Sequence, residues 1–256
     1  MKNCVCLLAK KPSDYWIEFL STFKKYDVYI VIDDNTIDYS SQYKQHKNIN
    51  IIQIKEQECE NQGFKNLSYC TYFNGYKPVD VWEKACYYFS NKNTTYDNVW
   101  FIEDDVYFYN EDVLLNIDKK YESSDLLANG KTYDINKDGF KSNWHWRKMD
   151  INLEPPYHCT MVFASRLSKS LLWYINDYAV SNNELFFSEA SFPTLCLNYG
   201  LIYDKPPQLD TVIYSVDNVI YNGVITPKLD INRESLFHPV KDLNYMKKLK
   251  SILDKA

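Results

Sequence analysis

Three carboxylates in a row, Glu103, Asp104 and Asp105, follow directly on the apolar run Val99-Trp100-Phe101-Ile102. Neighbouring carboxylates repel one another and lose hydration when partly buried, so a strand ending in such a knot calls for a cation or a proton. Hard divalent cations such as Mg2+ and Mn2+ take oxygen ligands, commonly one or two carboxylates completed by waters and phosphates. Bound there, such an ion offsets charge that builds on a departing phosphate. The same string also reads as a solvated acidic turn, with Glu111 and Asp112 favouring the start of the helix that follows. A second acidic pair, Asp33-Asp34, closes another apolar run, "DVYIVI".

The surrounding elements must bring these acids together. "NCVCLLA", "DVYIVID", "INIIQI" and "NVWFI" read as strands. Between them, "PSDYWIEFLSTFKKY" carries Trp16, Phe19, Leu20 and Phe23 at helical spacing behind Pro12-Ser13, and "PVDVWEKACYYFSNK" repeats Val81, Ala85 and Tyr88 or Phe89 on one face. A helix near 111–121, a strand at "SDLLAN", a strand then a helix in "PPYHCTMVFASRLSKSLLWYINDYA", a helix over "SEASFPTLCLNYG", the segments "GLIYD" and "TVIYSV", and a C-terminal helix complete the chain. Alternation of strands and helices predicts an α/β fold with a mostly parallel sheet covered by helices on both faces. Ligands of such sheets bind beyond the carboxyl ends of the strands, where both acidic groups fall. The expected organisation is one domain, with a donor half over about 1–130 and an acceptor half over about 131–256.

The succession "YDVYIVIDDN", "VWEKACYYF", "VWFIEDDVYF" and "LFHPVKD" resembles the nucleotide-sugar-dependent glycosyltransferases of the GT-A fold. Glu103-Asp104-Asp105 stands at the place of that family's DXD-type motif. The resemblance implies a Rossmann-like nucleotide-binding half, Mn2+ or Mg2+ as cofactor and a UDP-sugar as donor. It makes Asp105 the main metal ligand and Glu103 and Asp104 nucleotide-side partners. Asp33 or Asp34 would read the uracil or ribose, and Ala9 and Lys10 would line the base. His238 is the candidate for an additional metal ligand, against a plain loop histidine before Pro239. Lys241, three residues on, would meet the diphosphate as a point charge. Lys84 would reach the donor from its helix, or else make a surface salt bridge. "SEASFPTLCLN" resembles the base-bearing segment of the core-2 type N-acetylglucosaminyltransferases, which points to Glu189 as the base of an inverting hexosyl or N-acetylhexosaminyl transfer. Ser188 replaces the acid usual before that Glu, and Phe192 is displaced by one position. Glu189 equally reads as a first-turn residue behind a capping Ser188, with Glu184 as the reserve base.

Other strings point elsewhere or nowhere. Asp134-x-Asn136-x-Asp138-Gly139 matches the start of a calcium loop, but the twelfth position is His145 rather than a bidentate Glu, so an Asp-Gly turn explains it. Trp144, Trp146 and Arg147, with His158 and Arg166, could line a sugar groove or simply pack. Six glycines and the lack of a Gly-x-Gly-x-x-Gly or P-loop argue against a backbone phosphate cradle. That counts against the enzyme alternative, a nucleotidyltransferase, whose basic loop would be glycine-rich; a non-catalytic domain binding a nucleotide sugar or glycan is the other alternative. A formal charge of −5 gives no support to nucleic-acid binding. The seven cysteines, at 4, 6, 59, 70, 86, 159 and 196, lack metal-type pairing and read as free, mostly buried thiols. With no signal-type or membrane-spanning run, the expectation is a soluble, cytoplasmic chain whose partners are a nucleotide sugar and a hydroxyl acceptor.

Overall fold

The structure, a computed structural model, describes residues 1–72, 76–129, 133–135, 151–210 and 232–255. Trp144, His145, Trp146, Arg147 and "TVIYSV", together with most of the calcium-like string, lie outside them.

Strands β1 (Asn3–Ala9), β2 (Asp27–Ile32), β3 (Ile49–Gln53) and β4 (Asn98–Glu103) form the parallel half of a seven-stranded sheet, in the order β3-β2-β1-β4. The order continues through β8 (Ala164–Ser168), β5 (Leu126–Leu127) and β9 (Tyr203–Asp204). β8 runs antiparallel to both β4 and β5, whereas β9 is parallel to β5. A separate pair joins β6 (Tyr133–Ile135) to β7 (Tyr157–Cys159). The sheet is mostly parallel, as expected, with β8 as the strand that runs against its neighbours.

Near-continuous apolar strands arise because both faces of the sheet are covered. Side chains alternate along β1: Val5, Leu7 and Ala9 meet one core, Cys4, Cys6 and Leu8 the other. Helices α1 (Asp14–Ser21), α6 (Glu111–Lys120) and α9 (Leu243–Leu253) close the first core with Trp16, Ile17, Leu20, Leu114, Ile117 and Leu249. Helices α5 (Val81–Tyr87), α7 (Lys169–Asn182) and α8 (Ser188–Asn198) close the second, with Ala85, Leu171, Ile175 and Phe192. Shorter helices are α2 (Tyr39–Gln42), α3 (Glu56–Glu60) and α4 (Leu67–Tyr72). α1 begins where the sequence places it, for the Ser13 side chain accepts a hydrogen bond from the Trp16 N–H. All seven cysteines are free thiols, and all but Cys70 are buried. Among the described residues, no helix is long and apolar enough to cross a membrane.

Candidate active site

β1 ends between the two acidic groups. The Asp33 N–H donates to the Ala9 carbonyl at 3.0 Å, and the Asp104 N–H donates to the Leu8 carbonyl at 3.1 Å. Both groups therefore sit at the carboxyl edge of the parallel strands, one on each side of β1.

The acidic turn is held from several directions. The Trp16 indole of α1 donates to the Asp104 carbonyl at 2.8 Å, and the Trp82 indole of α5 donates to Glu103 Oε1 at 3.1 Å. Beyond the turn, Tyr107 and Phe237 exchange backbone hydrogen bonds of 2.9 and 2.8 Å, and the Val240 N–H donates to the Asp105 carbonyl at 2.6 Å. His238, carried between them, lies with Nε2 3.4 Å from Glu103 Oε2 and 3.3 Å from Asp105 Oδ1. Its ring stacks on Phe163, with centroids 4.4 Å apart and planes 7° from parallel.

Glu103, Asp105 and His238 each offer a ligand atom, and these atoms all lie within 4.8 Å of one another. Asp105 Oδ1 and His238 Nδ1 are buried without a hydrogen-bond partner, an arrangement that costs free energy unless another group completes it. The Nε2–Oδ1 approach is short enough for an ion pair but lacks hydrogen-bond geometry. Burial alone would lower the His238 pKa, but Asp105 and Glu103 outweigh it and push it up to about 9. Two carboxylates and one imidazole around an orphaned oxygen fit a divalent cation of the Mn2+ type. Asp104 is exposed; desolvation at the turn, then the charges of Asp105 and Glu103, raise its carboxyl to about 6.

Glu189 occupies the first turn of α8. Phe187, not Ser188, is the cap residue of that helix, and it makes no side-chain cap bond. Pro193, four residues after Glu189, has no N–H to give to the Glu189 carbonyl, which accepts instead from the Thr160 N–H at 2.9 Å. Burial first, then the charge of Glu103, pushes the Glu189 carboxyl up to about 7, with His238 acting in the opposite sense. The charges of Glu103 and His238 therefore reach Glu189.

The other expected residues divide differently. Asp34 is buried, with Oδ1 accepting from the Thr36 N–H at 2.8 Å and Oδ2 facing the Tyr39 hydroxyl at 2.9 Å and Lys11 Nζ at 3.1 Å. Those hydrogen bonds, Thr36 first, hold its carboxyl well below the usual range. Asp33 pairs through Oδ1 with Lys84 at 2.9 Å and through Oδ2 with Lys77 at 3.3 Å. Both acids thus have their oxygens engaged by protein groups. Lys84 makes no surface salt bridge: it is fully buried, its alkyl stem inside the α5 packing and its ammonium held by the Asp33 carboxylate and, at 2.8 Å, the Asp33 carbonyl. Ala9 is buried, while Lys10 and Lys241 are exposed. Glu184 Oε1 accepts from the Ser68 N–H and hydroxyl at 3.0 and 2.9 Å, which occupies the reserve base at the start of α4. Arg166 lines no groove; it is buried, pairing with Asp118 at 3.0 Å and donating to the Tyr121 and Ser124 carbonyls. His158 borders a surface cleft with Pro156, Leu197 and Tyr199, which does not include the acidic turn. Trp16 reads in the sequence as a core residue, and nothing in the spacing of either tryptophan reveals that its indole N–H braces the turn.

No protein family model matches the chain, and no curated protein matches its sequence. Solved structures match in fold. A galactosyltransferase, LgtC, in complex with donor and acceptor sugar analogs shares 10% identity over 98% of this chain and 96% of that one, with a TM-score of 0.51. An active-site mutant of LgtC gives 10% identity over 98% and 96%, with a TM-score of 0.50. A 4-diphosphocytidyl-2C-methyl-D-erythritol synthase from Anaerococcus prevotii gives 9% over 99% and 96%, with a TM-score of 0.47. The chain has the GT-A fold, as its motifs suggested.

Proposed function

We propose that this chain is a metal-dependent glycosyltransferase that moves a sugar from a nucleoside diphosphate, UDP by preference, to an acceptor hydroxyl with inversion. The observation that carries the reading is the convergence of Glu103, Asp105 and His238, from distant parts of the chain, on one point at the carboxyl edge of the sheet. A divalent cation held by these three offsets the charge that develops on the departing diphosphate. Glu103 then belongs with the metal ligands rather than with the nucleotide-side partners that the motif alone suggests.

Glu189 takes the acceptor proton. A base works best with a pKa near the operating pH, and a carboxyl raised to about 7 satisfies that condition. Exposed Lys241 supplies positive charge for the diphosphate in place of a glycine-rich cradle, while Ala9 and Lys10 line the base. Asp33 and Asp34 act through the lysines and the tyrosine they hold, shaping the nucleoside end of the site between β1 and β2. In this reading the donor half spans about 1–130 and the acceptor half about 131–256.

The test is thermal stability against UDP, GDP, CMP and ADP, each with and without Mn2+. A ligand specific for the folded state stabilises it by RT ln(1 + [L]/Kd), about 2.7 kcal/mol at a hundredfold excess. The expected result is a shift with UDP that requires Mn2+ and is lost in Asp105→Asn. No shift with any nucleotide in the presence of metal would overturn the donor-site assignment. Incubation with UDP-sugars, and separately with UTP plus sugar 1-phosphates, then separates the alternatives: UDP release from a UDP-sugar marks a glycosyltransferase, Mn2+-dependent binding without turnover a non-catalytic domain, and pyrophosphate release from UTP as the sugar phosphate takes the uridylyl group a nucleotidyltransferase.

A further inference from the structure

Trp82 stands where three elements meet. The capping box of Asp80 and Glu83 fixes the start of α5, and the Trp82 N–H itself donates to Asp80 Oδ1 at 2.8 Å. Its ring packs edge-on against Phe101 of β4 (centroids 6.2 Å apart, planes at 83°) and meets Phe192 of α8 at 5.8 Å. So confined, the indole donates its one N–H to Glu103 Oε1 at 3.1 Å. Only Oε2 remains to face His238 Nε2, at 3.4 Å.

Granted the cation site proposed above, we infer that Trp82 is a positioning residue that makes Glu103 a one-oxygen ligand. The indole holds Oε1 away from the ion and aims Oε2 at the point shared with Asp105 and His238. Groups hydrogen-bonded behind a metal ligand change metal affinity by roughly 10–100-fold when removed. Trp82 belongs to α5 and touches α8, so the same ring also ties the orientation of Glu103 to the helix that carries Glu189.

The experiment is Mn2+ titration of the full chain at neutral pH, with free Mn2+ read by electron paramagnetic resonance. Trp82→Phe keeps an aromatic ring against Phe101 and Phe192 and removes the N–H; its Mn2+ Kd should rise about tenfold. Glu103→Gln should bind worse still, because the indole takes the amide oxygen and turns the amide NH2 towards the ion. Removing the donor frees that amide to rotate, so the Trp82→Phe/Glu103→Gln double variant should bind Mn2+ more tightly than Glu103→Gln alone. A purely structural tryptophan predicts the reverse, with the double variant at least as weak as either parent, and that result would overturn the inference. If Trp82→Phe does not fold, Glu103→Gln against Glu103→Ala decides: the amide should bind more weakly than the truncation, and equal or tighter binding overturns the role. Wild-type protein that binds no Mn2+ removes the cation site itself, and the role of Trp82 with it. Wild-type binding with variants that fail these orderings removes the role of Trp82 alone.

Discussion

Replacing Glu189 with Gln should stabilise the protein at alkaline pH while abolishing transfer. Burial and the facing charge of Glu103 raise the Glu189 carboxyl from its ordinary 4.5 to about 7, and the neighbouring His238 offsets part of that rise. Tyr69 also faces it, and its hydroxyl is raised by burial first and by Tyr76 and Glu189 after. A carboxyl with a raised folded-state pKa binds its proton more tightly in the folded chain than in the unfolded one. Stability is therefore full below pH 4.5, falls as pH rises from 4.5 through 7, and is flat above that. At 1.36 kcal/mol per pKa unit, the loss amounts to about 3 kcal/mol by pH 8. Glutamine keeps the shape and never ionises. Urea unfolding of wild type and Glu189→Gln at pH 4.2 and pH 8, with chelator present, should give similar stabilities at the lower pH. At the higher pH the variant should be more stable by about 3 kcal/mol. His238, raised to about 9, contributes to both proteins and largely cancels in the difference. A constant difference across that range would refute the burial argument, and unchanged turnover in Glu189→Gln would remove the base.

Three further outcomes are expected. Asp34→Asn should blunt acid denaturation: the native hydrogen bonds depress the Asp34 carboxyl, so its contribution is complete above about pH 3.9 and is lost as pH falls below it, as melting temperature against pH would record. Arg166→Met should cost about 3–5 kcal/mol in urea unfolding, because it leaves Asp118 buried opposite no cation. Lys84→Met should destabilise by a similar ~3–5 kcal/mol, whereas Lys241→Met should leave stability within about 0.5 kcal/mol and weaken UDP binding, by calorimetry. Equal effects of the two lysine substitutions on folding would contradict the contrast between a buried and an exposed ammonium.

The strands and helices of the first half were legible because their apolar spacing is local. "NCVCLLA" and "NVWFI" are strands whose apolar side chains all meet a core, and the helix behind Ser13 starts at a cap that its own residues supply. The acidic turn was legible for the same reason, as an expensive pattern at a strand end. What depends on partners far along the chain was not. An antiparallel β8 between β4 and β5 leaves no mark on "ASRLS", since the alternation of side chains is the same for either direction. Lys84 and Lys241 carry the same side chain, and only the packing around α5 makes one a buried ion-pair partner. Asp33 and Asp34 look interchangeable in the sequence, yet one is held by two lysines and the other by a threonine amide, a tyrosine and a lysine.

The placement of His238 follows from backbone pairing rather than from the attraction of charges. Tyr107 and Phe237 form an antiparallel bridge on one side of His238, and the Val240 N–H on the Asp105 carbonyl closes the other. The segment that carries His238 is thus pinned on both sides of it against the acidic turn, and its Nε2 comes to lie 3.3 Å from Asp105 Oδ1. Meanwhile Glu103 is the last residue of β4, locked in register with Leu8 by the parallel sheet. The cluster of Glu103, Asp105 and His238 is therefore the junction of two backbone frameworks, the sheet and the returning segment 236–240, with Phe163 stacked against the histidine to limit its rotation. Such a junction keeps its geometry with carboxylates facing one another because hydrogen bonds elsewhere hold them there. That is also why the acids can be left partly unsatisfied: the fold holds them in place, which is what the proposed cation site requires.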